Sequence, residues 1–366
     1  MNMQGMSDAE RNAAARARWS TNNEDVVDRF ADHFKSSSTI QPPSSSSSSA
    51  LPPTPTQPPP PAPTSTSTTK IAVAQLNSTF SKATNLVTIF KLAASAAAAN
   101  CSMLFLPEIA TLLPPKGTTI ENAEPIPSSS ALPFSPPFQS STLQTLSEIA
   151  KRNNLTISVG SIHESGASAE DGSPRVYNTS LLLDSSGTLI GKYRKIHLFS
   201  IDTATTKLSE TATTNPGTSL SPAIPTPLGP LGLAICYDLR FPYLSTSLRH
   251  VHKASAIIYP SAFTVETGLR DWEILLRARA IENQCWIIAA SQVGKHDSGR
   301  KSYGHSLVIN PLGEVVLDMG GFSNIEQDDV DDSLKNIVAY VDVDVDFVRK
   351  VREEVLQVER HQVQIK

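Results

Sequence analysis

"LGLAICYDLRFPY", residues 231–243, runs through apolar and small residues to a single cysteine, Cys236, and then turns polar. A strand that is apolar at every position, and not only at alternate ones, is covered on both faces. The same texture recurs outward from it in both directions. "KIAVAQL" (70–76), "CSMLFLPE" (101–108), "TISVGSI" (156–162), "NTSLLLD" (178–184), "ASAIIYPSA" (254–262), "CWIIAASQV" (285–293) and "IVAYVDVDV" (337–345) all read as strands. Helical spacing of apolar residues appears near 81–99, 140–153, 240–252 and over "LRDWEILLRARAIEN" (269–283), with a last helix expected to about residue 359. "SLVINPLGEVVLD" (306–318) reads as a hairpin turning at its Asn-Pro-Leu-Gly. The strands are too many, and the helices too few, for one doubly wound sheet. The expectation is an α/β fold of two sheets back to back with helices outside, a four-layer α-β-β-α sandwich. Residues 112–139 and 321–336 read as mobile loops, the second acidic and solvated.

Composition narrows the function. The 366 residues carry a formal net charge of -4, with no cluster of Lys and Arg that would mark a nucleic-acid or polybasic membrane footprint. No apolar run approaches the roughly 20 residues needed to span a bilayer. The cysteines number 3 (Cys101, Cys236, Cys285), none in a CxxC pair, which argues against a disulfide framework or a structural zinc. Residues 1–69, dominated by Pro, Ser and Thr from 36 onward, read as a disordered extension, and 70–366 as the functional domain. Arg11, Arg16 and Arg18 among alanines hint at a mitochondrial presequence, but Asp8, Glu10, Glu24 and Asp25 oppose it, so cytoplasmic residence is expected.

The chemistry gathers at strand ends. Cys236 closes one apolar strand, Glu108 follows another, and Lys195 lies in the largely apolar "LIGKYRKIHLF" (189–199). Nucleophile, base and cation together are the parts that acyl transfer needs. A helix starting a few residues after Cys236 is expected to favour its thiolate. The rival arrangement, a Cys–His pair drawing on His197 or His305, has no sequence feature that joins either to Cys236, and Cys101 and Cys285 read as core. In "KHDSGRKS" (295–302), Arg300 or Lys301 is a candidate partner for a substrate carboxylate or for a second subunit. Arg240, Arg277 and Arg279 are further candidates, unless ion pairs with Asp238 or Glu282 occupy them.

"FLPE" (105–108), "YRKIHLF" (193–199) and "CYDLRFP" (236–242), in that order, resemble the signature blocks of the nitrilase (carbon–nitrogen hydrolase) superfamily. The resemblance covers about residues 70–360. "YPSAF" (259–263), "DWEILLRARAIENQC" (271–285) and "SYGHSLVINPLGEVV" (302–316) look most like the branch of amidases acting on deaminated glutathione. The resemblance implies Cys236 as nucleophile, Glu108 as general base, Lys195 with the backbone N–H of Tyr237 as oxyanion stabilisers, and Glu210 as the second glutamate that fixes Lys195. It implies a small linear amide as substrate, no cofactor or metal, and a homodimer. An ω-amidase, an N-carbamoyl-amide hydrolase and a catalytically silent scaffold remain as alternatives. Two positions depart from the family pattern: Tyr243 stands where a glutamate is usual, and Asp271, next to Arg270, where this branch more often has histidine.

Overall fold

The computed structural model describes residues 68–202 and 207–355, so nearly all of the extension read over 1–69 lies outside the described residues. Chain contacts set Thr68–Val348 apart as one unit, and every candidate residue named above belongs to it. Its strands, in chain order, are β1 (Thr68–Gln75), β2 (Met103–Phe105), β3 (Thr156–Ser158), β4 (Ile162–Ser168), β5 (Pro174–Leu183), β6 (Leu189–Arg194), β7 (Ser200–Asp202), β8 (Lys207–Ser209), β9 (Ile224–Thr226), β10 (Gly229–Leu233), β11 (Ala256–Ile258), β12 (Trp286–Ala289), β13 (Val293–Lys295), β14 (Lys301–Tyr303), β15 (Leu307–Ile309), β16 (Val315–Asp318) and β17 (Ile337–Asp344). The longer helices are α1 (Lys82–Ala98), α2 (Ser141–Asn153), α3 (Pro242–His250) and α4 (Val265–Asn283).

Two large sheets result. One runs β17-β1-β2-β3-β5-β4 with β6 also on β5, and the other runs β16-β15-β12-β11-β10-β9. The β1–β2–β3 and β10–β11–β12 pairings are parallel, and helices supply the crossover connections that parallel neighbours need. Helices α1 and α2 cover the first sheet: Ile89, Ala93, Leu143 and Leu146 share one buried cluster with Ala72, Ala74, Leu104 and Leu181. The alternate residues Ile71, Val73, Met103 and Phe105 are equally buried, and period-2 alternation places them on the other face, towards the second sheet. This is the α/β sandwich expected. Among the described residues no helix is long and apolar enough to cross a membrane.

Local chemistry explains the element ends. The Ser81 and Ser140 side chains accept the N–H groups of Thr84 and Leu143, capping α1 and α2. Helix α4 begins at Val265, four residues before the expected start, because the Thr264 side chain caps it. The run 156–162 is broken into β3 and β4 at Gly160, which has φ +75°. A Cβ there would lie 1.8 Å from the Pro107 carbonyl oxygen, so only glycine lets the two segments touch. The hairpin closes as expected, with Gly313 N–H donating to Asn310 O at 2.9 Å. The two loops differ from expectation. Segment 112–139 is tied down by bridges Glu124–Glu164 and Phe134–Leu189. The acidic segment holds the basic loop, Asp328 meeting Lys295 and Lys301 and Asp329 Oδ1 accepting the Lys295 N–H at 2.8 Å. The helix after β17 starts at Phe347, and its expected course beyond residue 355 is outside the described residues.

Candidate functional site

Four connections converge between the sheets. Glu108 lies three residues beyond β2, on the Pro107 that packs against Gly160, and its backbone is held by Gln292 Nε2, which donates to Glu108 O at 3.0 Å. Lys195 is the residue after β6, and its N–H donates to Asn178 O at 2.8 Å. Glu210 follows β8 and opens a 3-10 turn over Glu210–Ala212. Cys236 does not end its strand, as the sequence pattern led us to expect. Strand β10 stops at Leu233, and Cys236 opens a 3-10 turn over Cys236–Arg240 with φ +46°. The cause is Asp238, whose Oδ2 accepts the Ile235 N–H at 2.9 Å and the Tyr193 hydroxyl at 2.8 Å, bending the chain round the buried carboxylate. Residues with a Cβ enter this left-handed region at a cost of roughly 1–2 kcal/mol, so the turn is over-determined by its partners.

The side chains then meet. Lys195 Nζ lies 2.9 Å from Glu108 Oε1 and 2.9 Å from Glu210 Oε2. Asn178 Nδ2 donates to Glu108 Oε1 and to Glu210 Oε1, each at 3.0 Å. The Phe199 N–H adds a third donor to Glu210, at 2.9 Å from Oε2. The buried Cys236 thiol lies close enough to Glu108 and Lys195 for both charges to act on it. All three of Glu108, Lys195 and Cys236 are buried.

Burial is the largest single influence on Lys195, Glu210 and Cys236, but it does not always decide the direction. It would lower the Lys195 ammonium, but Glu108, Glu210 and Cys236 outweigh it and hold that group well above its ordinary value. It would raise the Glu210 carboxyl, yet Lys195, the Asn178 amide and the Phe199 N–H together hold it below the usual carboxylate range. The Cys236 thiol is pushed up, first by burial and then by the Glu108 charge, against a smaller lowering from Lys195. Burial and the Glu108 charge both act against the thiolate that the nearby helix end was expected to favour. A protonated sulfur beside a carboxylate is an acid–base pair able to pass a proton between its members.

The model of the carbon–nitrogen hydrolase family matches residues 70–353. The chain belongs to that family. Among its relatives in the nitrilase superfamily, a deaminated glutathione amidase of Mus musculus is 40% identical over 247 residues, 67% of this chain and 72% of that one. A nitrilase and fragile histidine triad fusion protein of Drosophila melanogaster is 40% identical over 249 residues, and this chain spans only 50% of its length. The C. elegans NitFhit crystal structure superimposes with a TM-score of 0.67 at 34% identity, covering 81% of this chain and 65% of that one.

In this hydrolase the other sequence candidates lie elsewhere. The His197 ring stacks on Phe241 and faces Asp238 Oδ1 at 2.7 Å, and its far nitrogen meets the Tyr243 hydroxyl. His305 pairs with Asp318 at 3.0 Å. Neither histidine is bonded to Cys236 among the described residues. Arg240 pairs with Asp271 at 2.6 Å and not with Asp238, and Asp271, shared with Arg270, is no free charge. Arg279 pairs with Glu282 at 3.0 Å, and Arg277 bonds Gly313 O and Glu273. Tyr237 follows Cys236 in the turn, its ring edge-on to Phe199 and Phe241. Cys101 and Cys285 are buried, as expected of core residues. Asn178, His163 and Gln292, all at the site, were not foreseen. Their positions depend on strand register, which leaves no local mark.

Proposed function

We propose that this hydrolase cleaves a small linear amide through a Cys236 thioester, with deaminated glutathione, split to 2-oxoglutarate and cysteinylglycine, as the best-supported substrate. The observation that carries the reading is one ammonium, Lys195, 2.9 Å from both Glu108 and Glu210, beside a buried thiol on which the Glu108 charge acts. Glu108 takes the thiol proton as Cys236 Sγ bonds to the carbonyl carbon. The carbonyl electron pair moves to oxygen, where Lys195 and the Tyr237 N–H receive it. Collapse expels the amine, which takes the proton from Glu108 and leaves the thioester. Water then loses a proton to Glu108 as it attacks, the C–S bond breaks, and the proton returns to sulfur. Glu210 holds Lys195 in place throughout.

Arg300 is the favoured partner for a substrate carboxylate. Its Nη2 donates to Ala262 O, and its Nε is buried with no acceptor among the described residues. Lys301, by contrast, is engaged by Gln327 O and Asp328. Homodimerisation and cytoplasmic residence belong to the same reading.

The test compares wild type, Cys236→Ala and Arg300→Gln on deaminated glutathione, an ω-amide of a 2-oxo acid, and an N-carbamoyl amino acid. Turnover of the first is expected, falling at least about a thousandfold in Cys236→Ala and with KM about tenfold higher in Arg300→Gln. Turnover of another substrate keeps the mechanism and moves the branch. Full activity in Cys236→Ala would sink the thioester, and silence on all three would favour the scaffold alternative.

A further inference from the structure

Asn178 has no part in the scheme above, yet more of the site hangs on it than on any other neutral residue. It is buried on β5, directly across the antiparallel β4 pairing from His163. Both hydrogens of its amide are used, one on Glu108 Oε1 and one on Glu210 Oε1, each at 3.0 Å. Its main-chain oxygen takes the N–H of Lys195 at 2.8 Å, so the same residue holds the backbone of the cation and the side chains of both anions. The amide can stand only this way round, because the reverse would set its oxygen against two acceptor-only carboxylates. The consequence is a buried Oδ1 with no donor among the described residues.

Charge explains why a carboxamide is there. Two carboxylates already share one ammonium. A second cation would neutralise and pin both, whereas a neutral donor orders them and leaves the excess negative charge in place. His163, the neighbouring titratable side chain on this face, adds no positive charge, since burial lowers its imidazole to about 4. Lys195 and Asn178 together saturate Glu108 Oε1. That leaves Oε2 as the oxygen able to take a proton.

We infer that Asn178 is a positioning residue of the proposed hydrolysis, clamping Glu108 and Glu210 by one oxygen each so that Glu108 presents its other oxygen to the reacting atoms. The inference rests on the reading given under the proposed function. Its test measures kcat and KM against pH for wild type, Asn178→Asp and Asn178→Ala, with Cys236→Ala alongside and folding checked by circular dichroism. Asn178→Asp has the same shape, loses both donors and sets a third carboxyl against Glu108, Glu210, Lys195 and His163. Its kcat is expected to fall about 100-fold near neutral pH with KM within about twofold. Part of the loss should return as pH is lowered, because a carboxyl beside two carboxylates protonates readily and then donates again. Asn178→Ala should lose about 10- to 100-fold in kcat without that recovery. A merely structural role would lower melting temperature while leaving the kcat of the folded fraction and its pH profile unchanged. Folded Asn178 variants with kcat within about twofold of wild type, beside an inactive Cys236→Ala, would overturn the clamp and leave the hydrolase reading standing. An active Cys236→Ala would instead overturn the reading on which the clamp depends.

Discussion

Cys236 is held in two unfavourable ways at once: its backbone occupies the left-handed region at φ +46°, and its thiol is buried against a carboxylate. Burial and the Glu108 charge both favour the protonated sulfur, so the folded protein binds that proton more tightly than the unfolded chain does. A group raised in this sense contributes stability that is fully present below its ordinary value, 9.0 for this thiol, and that is lost as pH rises beyond it. Two outcomes follow from that sign. In the difference between wild type and Cys236→Ala, no ultraviolet thiolate absorbance from this residue should appear below pH 9.0. Alkaline unfolding of Cys236→Ala should also be less steep than that of wild type above the same pH. Thiolate absorbance near neutrality would mean that Lys195 overrides burial, and the proton would then have left the sulfur before substrate arrives.

At the scale of elements, Glu108 is placed by a glycine distant in sequence. The Pro107 carbonyl occupies the space where a Gly160 side chain would be, 1.8 Å from the Cβ position, and the clash is with backbone that cannot swing aside. Gly160→Ala must also adopt φ +75° with a Cβ. The expected cost is about 3 kcal/mol of stability, with kcat reduced in the protein that remains folded because Glu108 moves with Pro107. A urea midpoint close to wild type would show that the Pro107 segment gives way. Neither contact could be read from "TISVGSI", which looks like one continuous strand. Apolar runs mark β1, β2, β5, β11 and β12, and helical spacing of apolar residues marks α1 and α2, because both signals are local in sequence. Glu108, Lys195, Glu210 and Cys236 were nameable because the motifs carrying them are contiguous. Asn178 and His163 were not, since what makes them neighbours is the β4–β5 register. The Cys236 turn escaped for a different reason: left-handed backbone usually advertises itself with glycine or asparagine, and here Asp238 imposes it on a cysteine.

For the whole molecule, the boundary of the working unit follows from where β1 lies. It is an interior strand, paired to β17 along its full length from Thr68↔Asp344 to Gln75↔Ile337 and to β2 on its other side. The sequence pattern put the start of the domain at Lys70, where apolar residues begin, but the pairing starts at Thr68, and Thr69 Oγ1 also donates to Pro227 O at 3.1 Å. Two threonines can lengthen a ladder without adding to the core. We therefore propose that Thr68 is the first residue the hydrolase unit needs. A chain trimmed to begin at Thr68 should keep the kcat and melting temperature of the full chain. One beginning at Lys70 should keep kcat but lose a few backbone and side-chain hydrogen bonds, worth about 1–2 kcal/mol in all, and melt lower by about 2–4 °C for each kcal/mol. One beginning at Leu76 should not fold, because Ala72 and Ala74 leave the helix-side core and β17 and β2 lose the strand between them. Calorimetry and steady-state kinetics on the three chains decide it. Loss of activity on trimming to Thr68 would show that residues before it contribute to catalysis. Equal melting of the Thr68 and Lys70 chains would show that the first two rungs are frayed, and the boundary would return to Lys70.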